Sequence, residues 1–310
     1  EAGWYREIQN PSSLGGRGVF IEAFMMRVLV TGARGMLGQE LVEALSWGHV
    51  PLPAIHAGEE GYPCDITDTG AVFRMMEALQ PEAVIHAAAW TDVDGCEASP
   101  DLAYRVNALG TWNIASACAR HAIPVAYISS DFVFDGAKDE PYLEWDRPHP
   151  LSHYGLSKWM GEQHIQALCQ RFWIVRTAWL FGVHGKSFPK TILNAACTKT
   201  ELRVIADQIG SPTYAPDLAQ KIVELLEKPL YGIYHITNQG QCSWYELACK
   251  TLELARIEGV RIVPIPSSEW PSPTKRPAFS ALRPFHLELA GIPLLRPWEE
   301  ALQEFVLKSK

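Results

Sequence analysis

The stretch RVLVTGARGMLGQELVEALSW, residues 27–47, decides the fold. Its start, RVLVT (27–31), is an apolar, β-branched run with the length of a buried strand, whereas MLGQELVEALSW (36–47) repeats apolar residues at 37, 41, 42 and 45, the period of an amphipathic helix. Between them TGARGMLG (31–38) spaces three glycines as Gly32-x-x-Gly35-x-x-Gly38. After a strand and before a helix, such a loop is a candidate phosphate cradle. Gly32 permits the tight turn, Gly35 lets backbone N–H groups approach a pyrophosphate, and Gly38 lets helix and strand pack closely. Met36 and Leu37 open the helix, whose N-terminus carries partial positive charge, and join the glycines as candidate cofactor contacts.

The alternation continues outward from this unit. A strand is predicted near 50–55, then a turn containing Cys64-Asp65-Ile66, a helix starting near the N-cap residues Asp68 and Thr69, and a strand AVIHAA (83–88). A long helix DLAYRVNALGTWNIASACARH (101–121) and a strand PVAYIS (124–129) follow. Strand after helix after strand with short connections predicts an α/β fold with a doubly wound parallel, Rossmann-like sheet. Past residue 130 a Pro-, Asp- and Glu-rich loop leads to a helix carrying HYGLSK (153–158) and a strand FWIVRT (172–177). LRVIA (202–206), PDLAQKIVELLEK (216–228) and GIYHIT (232–237) resume the alternation, a last helix falls near 297–307, and the proline-dense PIPSSEWPSPTKRPAF (264–279) reads as a surface lid or clamp. Residues 26–180 are therefore expected to be mainly a dinucleotide-binding domain, and 181–310 mainly a smaller C-terminal substrate-binding lobe with some segments returning to the sheet. Residues 1–25 fit neither pattern and read as a poorly ordered leader without the basic start and apolar centre of a secretion signal.

Composition excludes several classes. A chain of 310 residues, 47% hydrophobic and 20% charged, is that of a globular protein, and no apolar run approaches the roughly 18 residues of a membrane span. A net charge of -8 disfavours capture of nucleic acid or anionic membrane. The seven cysteines, at 64, 96, 118, 169, 197, 242 and 249, include no C-x-x-C and read as free thiols, which fits a cytoplasmic location. No Cys or His pair has zinc-finger spacing, and His86 reads as a strand-end residue, so no metal is expected.

Tyr154 and Lys158 stand four residues apart, which puts them on one face of any helix and alone decides nothing. Downstream of the glycine loop the pair acquires meaning: the two together resemble the extended short-chain dehydrogenases/reductases, in which Y-x-x-x-K is the catalytic signature. The chain resembles in particular the dTDP-4-dehydrorhamnose reductase family, through VTGARGMLG, CDITD, VIHAAAWTDVDGCE, NALGTWNIA, YISSDFVFDG, YGLSKWMGE, RTAWLFG and DQIGSPTYAPDLA. These run from Met26 to about Pro297, and DQ-x-G-S-P-T is the most discriminating.

The resemblance implies NADPH-dependent reduction of the C4 ketone of a dTDP-linked 4-keto-6-deoxy sugar. Tyr154 becomes the general acid, Lys158 the ammonium that lowers its pKa and holds the nicotinamide ribose, and Ser130 a hydroxyl for the sugar carbonyl. Asp65 and Ile66, the small Ala87, Ala88 and Ala89, Thr91 and the helix residue Asn107 fall on the cofactor cleft. Val93, Trp179, Asp207, Gln208, Gly210, Ser211 and Pro212 fall on the substrate pocket, and Arg276 near the pyrophosphate. Ser130 also reads as a strand-end cap, and Trp179 as a core aromatic. In the region past the glycines where NAD enzymes carry an acid, VPLPAIHAG (50–58) has none until Glu59 and Glu60, and Arg34 can face a 2'-phosphate, so NADPH is favoured over NADH. A homodimer is a further candidate. Competing readings are a nucleotide-sugar epimerase or dehydratase on the same scaffold, and a non-catalytic NADP-binding regulatory subunit resembling the methionine adenosyltransferase beta subunit.

Overall fold

In the computed structural model, which describes residues 25–309, the alternation builds one seven-stranded sheet. The leader read from the sequence lies outside the described residues except for Met25. The first strands are β1 (Arg27–Thr31), β2 (Val50–Ile55), β3 (Tyr62–Pro63), β4 (Ala83–His86), β5 (Val125–Ser130) and β6 (Phe172–Thr177). Four short strands follow, β7 (Leu180–Phe181), β8 (Glu201–Ile205), β9 (Ile209–Gly210) and β10 (Thr213–Tyr214), before β11 (Gly232–His235). The sheet order is β11-β6-β5-β4-β1-β2-β3, parallel throughout, with the order reversing between β1 and β4. Sheets of this kind bind ligands beyond the strand C-termini at that reversal.

Helices cover both faces. α1 (Met36–Leu45) follows β1, and α2 (Thr69–Leu79), capped by the Asp68 carboxylate, follows β3. α3 (Val93–Ala98), α4 (Pro100–Ala103), α5 (Gly110–His121), α6 (His153–Leu168), α7 (Phe188–Ala196) and α8 (Ala215–Leu226) come next. Successive strand residues point to opposite faces. Val28, Val30 and Ile85 therefore meet Leu37, Leu41 and Leu45 of α1 and Leu218 and Ile222 of α8, while Leu29 and Val84 meet α2, α5 and α6 through Val72, Met75, Ile114 and Ile165. The second half of the chain adds β12 (Cys242–Ser243), α9 (Trp244–Ala255), β13 (Arg261–Ile265), α10 (Phe285–Leu289) and α11 (Trp298–Lys308). There β8 and β13 pair in parallel, and α7 and α9 bury Ile192, Leu202, Val204, Ala248 and Leu252 between them.

Two details qualify the sequence reading. The helix expected over 101–121 is interrupted by a π-turn at Tyr104–Leu109, which carries Asn107, and such widened turns cluster at functional sites. β2 contains Pro51 and Pro53, residues that a central strand excludes. Val50 N–H donates to the Met26 carbonyl on the β1 side, so the nitrogens of 51 and 53 face outward, and β3 pairs only with Ala54 and Ile55. Along its first four residues β2 is in effect an edge.

Two buried features fix the part that carries the glycine loop and α6. A methyl at Gly38 would drive into the Gly32 carbonyl oxygen, and one at Gly32 would come within 2.7 Å of the Ala88 Cα; Gly32 also has φ 70, which only glycine adopts cheaply. Beneath α6, the Arg176 guanidinium of β6 pairs with the Glu162 carboxylate at 2.9 Å and 2.7 Å, the two side chains being 2% and 0% exposed. Glu162 also accepts from Ser129 at 2.6 Å, tying β5, β6 and α6 together.

Replacing Glu162 by Gln leaves Arg176 as an unpaired buried cation and is expected to cost about 3–5 kcal/mol of stability, read from urea unfolding. A loss below 1 kcal/mol removes the pair from its structural role. Gly38→Ala is expected to weaken NADPH binding at least tenfold in a fluorescence titration, whereas Gly48→Ala, where nothing lies within 4 Å, leaves it unchanged.

Candidate active site

Of the residues singled out in the sequence, the glycine loop, Ala87–Ala89 and Ser130 lie at the C-terminal ends of β1, β4 and β5. No side chain caps α1, so the amides of Met36 and Leu37 at its first turn are open to an anion, and Gly35 N–H closes the loop on the Gly32 carbonyl at 2.8 Å. Beside it Ala88 N–H donates to Thr31 Oγ1 at 3.3 Å, and the alanines 87–89 keep the strand end low. Arg34 extends toward the tip of β2, its guanidinium 3.4 Å from the Ala57 carbonyl and 3.5 Å from Glu60, with both side chains solvent-exposed. No carboxylate stands at the tip itself, where His56 follows Ile55. The Asp65 carboxylate accepts from Thr67 N–H at 2.9 Å, the main reason it lies below the usual carboxylate range, helped by the nearby His56 and Arg105 charges. Ile66 gives its carbonyl to Asn113 at 2.8 Å. Open helix amides, a small-residue wall and a cation at the β2 tip form a donor set suited to a phosphorylated dinucleotide.

Asn107 is buried and does not face solvent. Its Oδ1 accepts from Trp90 N–H at 2.8 Å, and its Nδ2 donates to the Trp90 carbonyl and to Ser157 Oγ, both at 3.0 Å, fastening the loop after β4 to α6. Thr91 lies exposed at the end of that loop. His86 is neutral: burial pushes it down to about 3, and its ring is held between Thr31 and Thr111 hydroxyls at 2.7 and 3.1 Å.

Tyr154 and Lys158 occupy the first turns of α6, which Ser152 caps through Gly155 N–H. The Tyr154 ring is nearly buried against Phe132, edge to face at 5.5 Å, with Cys96 and Ala103 behind it. Burial raises its phenol above the usual range, an effect the Ser130 hydroxyl partly offsets. The ammonium was expected to lower that value. Instead Lys158 Nζ lies 4.3 Å from the centroid of the Tyr127 ring, and desolvation, opposed by Glu162, brings its own pKa down to about 7. A neutral, buried phenol is a proton donor held in reserve. Ser130 is the strand-end cap that the sequence also offered: its Oγ accepts from Phe132 N–H at 3.2 Å, capping a short 3-10 turn, and it also faces Tyr154.

The remaining residues singled out in the sequence, Val93 apart, lie between Trp179 and Arg276. Trp179 has φ 46, a left-handed conformation unusual for a bulky residue, and its indole stacks on Trp244 at 3.5 Å and 6°, with Gly210 packed against its Nε1 side. One indole face is therefore taken by Trp244, a residue that sequence reasoning missed. Gln208 and Pro212 are buried beside it, and Ser211 Oγ accepts from Leu282 N–H at 3.2 Å. Asp207 and Arg276 are engaged within the protein. The Asp207 carboxylate holds Ser267 N–H at 2.8 and 2.9 Å, and Arg276 pairs with Asp94 of α3 at 3.0 Å while also donating to Ser272. Thr274 Oγ1 donates to the Val93 carbonyl at 3.5 Å. The proline-dense segment is thus pinned at one end to Asp207 and at the other to Val93 and Asp94. Asp94, Asp131, Glu162, Arg176 and Trp244 all went unnamed in the sequence. Glu162 left a local signal, lying two turns past Tyr154 at the same helical spacing.

Comparison with known proteins agrees with this geometry. Residues 26–310 match the family model described as the RmlD substrate binding domain. The chain is 40% identical to the spore coat polysaccharide biosynthesis protein SpsK of Bacillus subtilis, over 91% of this chain and 97% of that protein. It is 38% identical to the dTDP-4-dehydrorhamnose reductase of Aggregatibacter actinomycetemcomitans, over 90% of this chain and 98% of that one. The crystal structure of the Bacillus anthracis dTDP-4-dehydrorhamnose reductase in complex with NADP superposes with a TM-score of 0.88 at 38% identity, covering 92% of this chain and all of that one. A cleft built in this way, on a chain matched along almost its whole described length, belongs to the dTDP-4-dehydrorhamnose reductase (RmlD) family.

Proposed function

We propose that the chain reduces the C4 ketone of dTDP-4-dehydro-L-rhamnose to dTDP-L-rhamnose with NADPH, in the cytoplasm. The observation that carries this reading is the placement of Ser130 at the C-terminal end of β5 against Tyr154, which shares the first turns of α6 with Lys158, on a sheet whose glycine loop leads from the C-terminal end of β1 into the uncapped N-terminus of α1. NADPH, when bound, supplies the hydride that reaches the carbonyl carbon. Met36 and Leu37 offer amides to its pyrophosphate, Arg34 a cation to its 2'-phosphate, and Lys158 an ammonium to its ribose.

The protein supplies the proton. Tyr154 is nearly buried and its phenol is neutral over the working range, so it can give its proton to the ketone oxygen as charge develops there. The resulting phenolate is stabilised by Lys158, whose ammonium is half-populated near neutrality before a partner charge appears and is favoured once one does. Ser130 supplies a second hydroxyl at the same oxygen. Trp179, held by Trp244, together with Val93 of α3 and the segment residues Gln208, Gly210, Ser211 and Pro212, shapes the sugar side. Asp207 supports that side by anchoring the proline-dense segment, and Arg276 can turn from Asp94 to the diphosphate. Thr91 and the Ala87–Ala89 wall border the nicotinamide side, and Asp65 and Ile66 the adenine side.

Following NADPH absorbance with dTDP-4-dehydro-L-rhamnose tests the activity. Tyr154→Phe is expected to lower kcat by about 100 to 10,000-fold while NADPH binding is retained; wild-type turnover in that variant refutes the assigned role. A wild-type protein that binds NADPH yet reduces no 4-keto-6-deoxy sugar returns the chain to a regulatory reading. Arg34→Ala is expected to raise the Kd for NADPH about tenfold more than that for NADH, and equal losses remove Arg34 from the 2'-phosphate.

A further inference from the structure

Asp131 follows the candidate catalytic serine directly and is 1% exposed. A buried carboxyl is costly unless it is well partnered. Its Oδ1 takes the proton of Ser130 Oγ at 2.9 Å, and its Oδ2 takes that of Ser280 at 2.6 Å. The remaining groups acting on it are the amides of Asp131 and Phe132, and its titratable neighbour is Tyr154 of α6. Ser280, 2% exposed, comes from the far end of the chain. Its N–H donates to the Ile209 carbonyl at 2.8 Å, and two residues on, Leu282 N–H donates to Ser211 Oγ. The carboxyl therefore joins the serine at the end of β5 to the segment that backs the 207–212 run.

A hydroxyl has one proton. While it points at Asp131, it cannot point at a ketone oxygen. We propose that Asp131, held by Ser280, is a positioning residue that sets the direction of the Ser130 proton: ionised, it draws the proton away from the substrate, and protonated, it releases the proton toward the ketone. This rests on the reductase reading above. Burial pushes the Asp131 carboxyl up to about 6, against the opposing pull of the Ser280 and Ser130 hydroxyls, so the switch falls near the working pH. The sign follows: kcat for ketone reduction rises as pH falls through the titration of Asp131. Ser280→Ala removes a bond that favours the ionised form, so the inflection moves to higher pH.

The test is the pH profile of kcat, at saturating NADPH and dTDP-4-dehydro-L-rhamnose, for the full-length wild type, Ser280→Ala and Asp131→Asn, with thermal melting to establish folding. Beside the inflection that Lys158 sets near 7 in all three proteins, the wild type is expected to show a second one near 6, Ser280→Ala the same second inflection raised by about one pH unit, and Asp131→Asn only the Lys158 inflection, with KM changed less than about threefold. Folded variants that keep the second wild-type inflection overturn the proposal. Should Asp131→Asn fail to fold, Ser280→Ala decides alone: a shifted second inflection supports the proposal and an unshifted one overturns it. A wild type without turnover overturns the reductase reading itself, which no pattern among the variants imitates.

Discussion

The Glu162 carboxylate is the point on which the catalytic half is hung. It is fully buried, it takes two bonds from Arg176 of β6 and one from Ser129 of β5, and it sits one turn past Lys158 on α6. The end of β5, the middle of β6 and the helix bearing the phenol and the ammonium thus share a single ionic centre. A carboxylate in this position without its guanidinium would be strongly destabilising, and a guanidinium without its carboxylate equally so. The Arg176 side chain also reaches the Glu144 carbonyl and lies 5.1 Å from the centroid of the Phe134 ring, which carries the same centre into the loop between β5 and α6. The electrostatics of Lys158 follow from this arrangement: burial weakens its charge, and the nearby carboxylate supports it.

The cleft is assembled from two sources that meet at a few specific bonds. The N-terminal part supplies the glycine loop, the π-turn asparagine and the hydroxyls. The C-terminal part supplies the stacked tryptophans and the proline-dense strap. Between them stand Asp131 with Ser280, Asp94 with Arg276, and the Val93 carbonyl with Thr274. Each of these bonds spans well over a hundred residues of sequence, so the geometry around the ketone depends on the whole chain being folded.

What was legible in the sequence was local. The loop 31–38 could be read because strand, glycine spacing and helix fall within twenty-one residues, 27–47, and Tyr154 and Lys158 because their Y-x-x-x-K spacing, downstream of that loop, resembles a known catalytic signature. Asp68 could be read as a cap because capping is a matter of three residues, and it accepts from Ala71 N–H as such a cap does. The rest depends on pairings that sequence distance hides. Arg176 is visible as a charge within FWIVRT, but nothing nearby names Glu162 as its partner. Trp179 was left between a pocket indole and a core aromatic because Trp244, which covers one of its faces, lies sixty-five residues further on. The direction of the Tyr154 shift was misjudged for a related reason: proximity along the helix suggested Lys158 as the dominant influence, whereas enclosure by Phe132, Cys96 and Ala103 dominates. The π-turn was read as plain α-helix because its composition differs little from that of its flanks.

The seventh strand carries a consequence for biosynthesis. β11 closes the sheet against β6, yet it lies at 232–235, far beyond β6 at 172–177. During translation, at about 5–20 residues per second, the row of peptide groups on β6 that β11 will occupy stays open for several seconds after the first six strands have emerged. An open apolar edge is a template for wrong pairing, so the newborn chain is at its most adhesive in that interval, and arrival of the GIYH segment ends the exposure.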